Sequence, residues 1–167
     1  MSKLRLKISM SLDGYVAGPS QSVDNPLGIG GMRLHEWAFA LAIFREQHEL
    51  DGGEINESTR VVEESLSNIG ATVMARNMFG ATNGIESALE QARRAARGKD
   101  VSLGGGAKGA QQYLVAGLVD EMEISLVPTL LGSGERLFDG VGDDLHGLEL
   151  VRTVAGPQVV HLRFAKP

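Results

Sequence analysis

Three consecutive glycines, Gly104, Gly105 and Gly106, constrain this chain more than any other feature. They stand between a short apolar run, Val101-Ser102-Leu103, and a stretch with Ala107, Ala110, Leu114 and Leu118 at helical spacing. Gly117 offers that helix a stopping place. Met122, Ile124 and Leu126 then alternate with Glu123, Ser125 and Val127, the period of a strand. The unit predicted is strand, glycine turn, helix Ala107–Leu118, strand. Glycines in such a turn let the backbone approach a ligand closely, and the free N–H groups of a helix start favour an anion, most often phosphate.

Gly104, Gly106 and Gly109 satisfy G-x-G-x-x-G, but a dinucleotide fold also wants an acid about 20 residues on, and Ser125 to Pro128 holds none. The Gly-Lys-Ser/Thr of a P-loop is absent too. Two readings of the glycines stay open: a phosphate cradle, or a tight turn and nothing more.

A chain of 167 residues with 43% hydrophobic content suits one domain with a core of its own, here read as residues 1–167. Its 22 glycines are roughly twice average usage and imply many tight turns. A net charge of −5 argues against a nucleic-acid partner. The absence of cysteine excludes disulfides and thiol chemistry and fits a reducing cytoplasm. The N-terminus lacks the apolar core of a signal peptide, and no apolar run is long enough to span a membrane, so neither secretion nor a membrane partner is expected.

Leu4, Leu6, Ile8 and Met10 alternate with polar residues as in a half-buried strand, and Tyr15 to Ala17 continues extended after a turn at Ser11–Gly14. A long glycine-rich loop follows, up to Gly31. One helix is predicted from Met32 to His48, with Leu34, Trp37, Ala38, Leu41 and Phe44 as its stripe. Another is expected from about Thr59 to Asn68, with Asn56-Glu57-Ser58 just before it read as a chance glycosylation sequon. Ala71 to Ala75 reads as a central parallel strand, apolar on both faces. Ile85, Ala88, Leu89, Ala92 and Ala96 mark an amphipathic helix. Leu148 to Val154 and Val159 to Phe164 form a closing antiparallel pair.

Gly104-Gly105-Gly106-Ala107, Gln112-Tyr113-Leu114, Gly117 to Glu121 and Pro128 to Phe138 together resemble the reductase domain of bacterial riboflavin biosynthesis and its stand-alone relatives. Ile8 to Gly18 resembles the first strand and loop of the same dihydrofolate-reductase-like superfamily. The resemblance runs from about Leu4 to Phe164. It implies a three-layer α/β/α fold with a mixed, mainly parallel sheet and a C-terminal antiparallel pair. It also implies hydride transfer from NADPH to a small polar heterocycle, pterin-like or ribosylamino-pyrimidine-like, acting on a CH–NH or C=N bond, in a homodimer. One departure stands out. In the relatives a further strand lies between the arginine-bearing turn and the next helix. Here Phe79-Gly80 runs almost directly into Asn83, which implies weak cofactor binding.

The resemblance implies cofactor contacts by Ala17, Ala75, Arg76, Asn77, Gly104, Gly105, Gly106, Ala107, Leu131 and Gly132, and substrate contacts by Asp13, Trp37, Phe79 and Gly134. Arginine suits phosphate through its fixed donor fork; a surface salt bridge is the alternative for Arg76. Asp13 is the one candidate catalytic group, as a proton relay if burial raises its pKa, against a turn-capping role. Trp37 is read more readily as core than as a stacking platform. The four histidines form no ligand-spaced cluster, so no metal is expected. The rival functions are a non-catalytic nucleotide-binding dimeric scaffold on the same fold and a true Rossmann enzyme.

Overall fold

The computed structural model describes residues 1–74 and 82–167. In chain order the strands are β1 (Leu4–Ser11), β2 (Tyr15–Ala17), β3 (Ile69–Met74), β4 (Asp100–Gly104), β5 (Glu121–Val127), β6 (Glu135–Arg136), β7 (Glu149–Gly156) and β8 (Val159–Ala165). The helices are α1 (Glu36–Phe39), α2 (Ala42–Gln47), α3 (Glu57–Leu66), α4 (Thr82–Ala96) and α5 (Ala107–Val115). Six strands form one sheet in the order β3-β4-β1-β5-β8-β7, and β2 pairs with β6 in a small antiparallel ribbon. β3, β4, β1 and β5 run parallel, while β8 and β7 close the sheet antiparallel, as expected. The Rossmann alternative is not formed, because the glycine turn follows β4 rather than the first strand.

One face of the sheet carries the apolar core. Leu4, Leu6, Val101, Leu103, Met122 and Ile124 pack against Leu89 and Ala96 of α4 and Ala107, Ala110 and Leu114 of α5. Each fully buried leucine there stabilises by roughly 1.5–3 kcal/mol. Met122 and Ile124 are consumed by this core. α5 ends at Val115, short of the expected Leu118, because Gly117 adopts φ 64. Its N–H bonds to Leu114 O, and that of Leu118 to Tyr113 O, in the crossed pattern of a Schellman stop.

The opposite face is covered by α3 and residues 31–47. The helix expected from Met32 to His48 is broken into a 3-10 turn (Gly31–Leu34), α1 and α2. The break falls at Leu41, which is extended (φ −74, ψ 138) and bridges to Glu54. Ala42 N donates to Glu54 O, and Glu54 N donates to Ala40 O, so cross-chain bonds replace the helical ladder. The apolar stripe survives: Leu34, Trp37 and Leu41 are buried with Val62, Val127 and Val159. α3 begins at Glu57, two residues earlier than expected, because Asn56 is its N-cap. Ser58 N donates to Asn56 Oδ1 and Asn56 N to Thr59 Oγ1.

β3 is not a central strand. Among the described residues it is the sheet edge, and Gly70, Thr72 and Met74 are exposed while Val73 faces α4. Among the described residues only one of its faces has a helix over it, so the apolar run belongs to a half-covered edge. The expected strand end at Ala75 lies outside the described residues.

Candidate functional site

A cleft of about 570 Å³ opens beside the carboxyl ends of β1 and β4 on the α3 side of the sheet. Open α/β sheets bind ligands at strand carboxyl ends, and the volume is that of a small-molecule site. The sheet contributes Lys7 and Ser9, and β2 contributes Val16 and Ala17. The turn before α5 supplies Gly105 and Gly106. Trp37, Leu41, Phe44 and His35 come from the broken helical segment, and Val62 and Leu66 from α3. The cleft thus gathers four of the sequence-predicted residues: Ala17, Trp37, Gly105 and Gly106.

The glycine turn is built to leave space. Gly105 has φ 118, a conformation side chains rarely adopt. At Gly106 a Cβ would meet no described atom within 4 Å. Among the described residues no side chain caps the start of α5, and its first internal bond is Ala110 N to Gly106 O. The amides of its first turn are therefore open to a ligand, which fits a phosphate-bearing cofactor. Gly104 has a different reason to be glycine, since a Cβ there would press on Met74 Sδ at 2.7 Å. Ala107 is buried in the core and turned away from the cleft.

Asp13 does not line the cleft. Its Oδ1 accepts from Ser11 Oγ (2.6 Å) and Leu131 N (3.1 Å), and its Oδ2 accepts from Gly132 N (2.8 Å). The Ser11 hydroxyl bond is the largest influence holding its pKa down to about 2, and the Gly132 and Leu131 amides add to it. A proton relay required the opposite shift. The carboxylate ties the loop after β1 to the loop after β5, and the Leu131 and Gly132 amides are spent on it. Gly134 (φ 130) is fixed by packing, because a Cβ would collide with Ala17 O. Asp13, Leu131, Gly132 and Gly134 thus form a clamp beneath β2. Ala75, Arg76, Asn77 and Phe79, and with them the short junction after Gly80, fall outside the described residues.

The strand reading of β1 located its polar face but not its surroundings. Arg5, Lys7 and Ser9 face α3 and carry a charged lattice. Cross-strand pairing sets Lys7 beside Glu123, Glu123 beside Arg163 and Arg163 beside Arg152. Glu121 accepts from Lys3 (2.6 Å) and Arg163 (2.7 Å); burial pushes its carboxyl up, yet these bonds prevail and its pKa falls. Burial dominates at Glu123, which is pushed up despite Lys7 and Arg152, and its Oε1 has no partner among the described residues. Lys7 Nζ donates to Ser65 Oγ at 2.7 Å. Burial lowers its pKa, Glu123 opposes that and Arg5 adds to it. Behind the cleft wall His161 is held between Ser125 Oγ (3.0 Å) and Ser58 Oγ (2.9 Å), with Trp37 edge-on at 4.9 Å. Lys7, Ser9 and His35 went unrecognised in the sequence; the period-two pattern of β1 marks the first two as sharing a face, whereas nothing in the pattern marks His35.

A family model described as the RibD C-terminal domain matches residues 54–162, about two thirds of the chain. The chain belongs to this family. No curated protein matches it in sequence. Among solved structures, it is similar to a Shewanella protein described as a riboflavin biosynthesis protein, at TM-score 0.60 and 16% identity over 99% of each chain. Riboflavin biosynthesis reductase Rib7 of Saccharomyces cerevisiae matches at 0.53 and 14%, covering 98% of this chain and 88% of that one. RibD of Acinetobacter baumannii matches at 0.53 and 18%; the whole chain corresponds to 58% of that protein. At these identities the structures establish the dihydrofolate-reductase-like fold that the family shares, and no more. Among the described residues no helix is long and apolar enough to cross a membrane.

Proposed function

We propose that residues 1–167 form one dihydrofolate-reductase-like domain that acts as an NADPH-dependent reductase on a small heterocyclic substrate, reducing a C=N or related bond. The observation that carries this reading is the cleft, in which an uncapped helix start with a glycine turn opens beside Lys7, Ser9 and an apolar wall built on Trp37. Membership of the RibD C-terminal family supports a riboflavin-pathway type of reductase. The nicotinamide cofactor supplies the hydride when bound. Gly105, Gly106 and the first-turn amides of α5 would hold its phosphate, with Ala17 against it. Arg76 and its neighbours, Ala75 and Asn77, are proposed from the sequence as further contacts. Leu131 and Gly132 would act through shape, their amides being engaged by Asp13.

Lys7 holds a positive charge on the cleft floor, where it attracts an acceptor oxygen or an anionic group of the substrate. Trp37 keeps its indole N–H on Leu34 O (3.0 Å) and presents only apolar surface to the ring. The wall of Leu41, Phe44, Val62 and Leu66 excludes water from the reacting atoms and strengthens the field of Lys7. No described lining residue is a carboxylate, and residues 75–81 contain none in sequence. The donor edge of a pyrimidine or a pterin would therefore meet neutral acceptors such as the Gln21 and Gln47 amides.

A non-catalytic nucleotide-binding scaffold stays as the second reading because β3 stands at the sheet edge, with no described strand beyond it. NADPH titration by nicotinamide fluorescence, followed by NADPH oxidation with a panel of pyrimidines and pterins, separates the two. Turnover supports the reductase, and binding without turnover for every ring supports the scaffold. A homodimer is part of the proposal; light scattering at micromolar concentration checks it, and a monomeric mass removes it.

A further inference from the structure

We propose that His35 is the proton donor to the substrate of this cleft. The proposal rests on the reductase reading above. Hydride delivery to one atom of a C=N or conjugated C=O bond pushes the π pair onto nitrogen or oxygen, which must then take a proton. The described cleft lining holds two titratable side chains, Lys7 and His35, and residues 75–81 add no carboxylate. Asp13 is bound up in the loop clamp and lies outside the lining. Lys7 is tied to Ser65 and sits beside Glu123 in the sheet, so its charge has a fixed place in the lattice.

His35 is differently arranged. Its backbone is pinned: N donates to Met32 O (2.9 Å), and O accepts from Ala38 N (2.9 Å) and Phe39 N (3.1 Å). Its ring stacks on Phe39 at 6.3 Å and 26°. Among the described residues neither ring nitrogen has a hydrogen-bond partner, so the imidazole is oriented yet chemically free. In the step, an imidazolium N–H bond breaks and an N–H or O–H bond forms on the reduced ring. The neutral imidazole then regains a proton from solvent. The two electrons and the hydrogen placed on carbon come from the nicotinamide cofactor.

The groups around His35 leave burial in control of its charge. β1 offers Lys7. The 3-10 turn offers Arg33, engaged by Thr129 Oγ1, and α1 offers Glu36, turned to solvent. The loop after β2 contributes Gln21, Pro26 and Leu27, α2 contributes Phe44 and Gln47, and α3 contributes Val62 and Leu66, all uncharged. Burial therefore lowers the imidazole pKa below its ordinary value. The imidazolium is a readier acid, and its population falls as pH rises through that value.

The test compares the wild type with His35→Gln and His35→Asn, each checked for folding by thermal melting. In the first arm, NMR of ¹³Cε1-labelled histidine follows His35 with lumazine (2,4-dioxopteridine) or uridine 5′-monophosphate, and quenching of Trp37, the sole tryptophan, reports occupancy. In the second, the kcat of NADPH oxidation is measured against pH with whichever rings turn over. The His35 signal is expected to titrate below the ordinary imidazole pKa and to shift when a ring binds. Wild-type kcat is expected to fall with rising pH through that same value. His35→Gln should lower kcat roughly 100-fold or more, with KM and NADPH affinity within about twofold, and abolish the inflection. A His35 signal that neither ring moves overturns the proposal. So does an inflection above neutrality that persists in His35→Gln, which assigns the proton to Lys7. Absence of NADPH oxidation by the wild type with every ring removes the reductase reading itself, and the proton role with it.

Discussion

Acidification should destabilise this fold well above the range where carboxylates titrate, and His161 is the cause. The side chain is 2% exposed, with both nitrogens bonded to serine hydroxyls and Trp37 against its edge. Burial, then the charges of Lys7 and Arg152, push its pKa from 6.5 down to about 4. The native state thus keeps the imidazole neutral, while the unfolded chain takes up a proton below pH 6.5. Stability is complete above that value and is lost progressively until about pH 4. Linkage over this span gives a loss of about 2 kcal/mol between pH 7 and pH 5. That is a large share of a typical 5–15 kcal/mol. Glu64 and Glu121, whose pKa values are lowered, lose their contribution only at lower pH, so the window belongs mainly to buried histidine. Urea unfolding at pH 7, 6 and 5 measures the loss. His161→Gln keeps a donor and an acceptor between the serines and cannot titrate, so its curve should be flatter by about that 2 kcal/mol, the remaining slope combining the lowered His35 with the opposing raised Glu123. Equal losses in the two proteins would refute the reasoning.

The same network makes Gly156→Ala costly, since a Cβ there would strike Ser58 Oγ and displace it from His161; a loss of about 1–3 kcal/mol in urea unfolding is expected. Asp13→Ala removes the acceptor of the Leu131 and Gly132 amides, so those amides should lose hydrogen-exchange protection while the core melts normally; in the wild type the same protection should hold above the ordinary carboxyl pKa and fade as pH falls towards about 2. Gly105→Val should abolish NADPH binding by fluorescence titration and, because φ is 118, also cost about 1–3 kcal/mol in thermal melting. Normal binding would reduce the glycine run to a turn.

The local rules that read the sequence well were those whose evidence lies within one element. The strand–glycine–helix–strand unit and the closing pair are written in periods of two and 3.6 with glycines at the joints, and they were legible. Where a distant segment intervenes, local pattern misleads. Leu41 has its place in a helical stripe, but Glu54 supplies the backbone partner that pulls it into an extended conformation. Asn56-Glu57-Ser58 matched a modification motif, yet what it encodes is a cap, legible only with Thr59 counted in. Ala71 to Ala75 looked central because the run is apolar on both faces, although Thr72 and Met74 face outward.

The candidate site was harder to read for a reason rooted in the sheet. Its apolar face announces itself in sequence, whereas Arg5, Lys7, Glu121, Glu123, Arg152 and Arg163 look like an ordinary solvated face. α3 turns them inward, and ion pairing across strands makes that burial tolerable, Glu121 with three cations being the satisfied case and Glu123 the unsatisfied one. Replacing such a lattice with apolar residues would cost little stability in principle, so stability alone does not account for it. The lattice carries Lys7 to the cleft floor and sets positive charge beside neutral, buried His161. The glycine turn, readable from the start, marks where a phosphate can sit; the polar face under α3 sets the field in which a substrate would react.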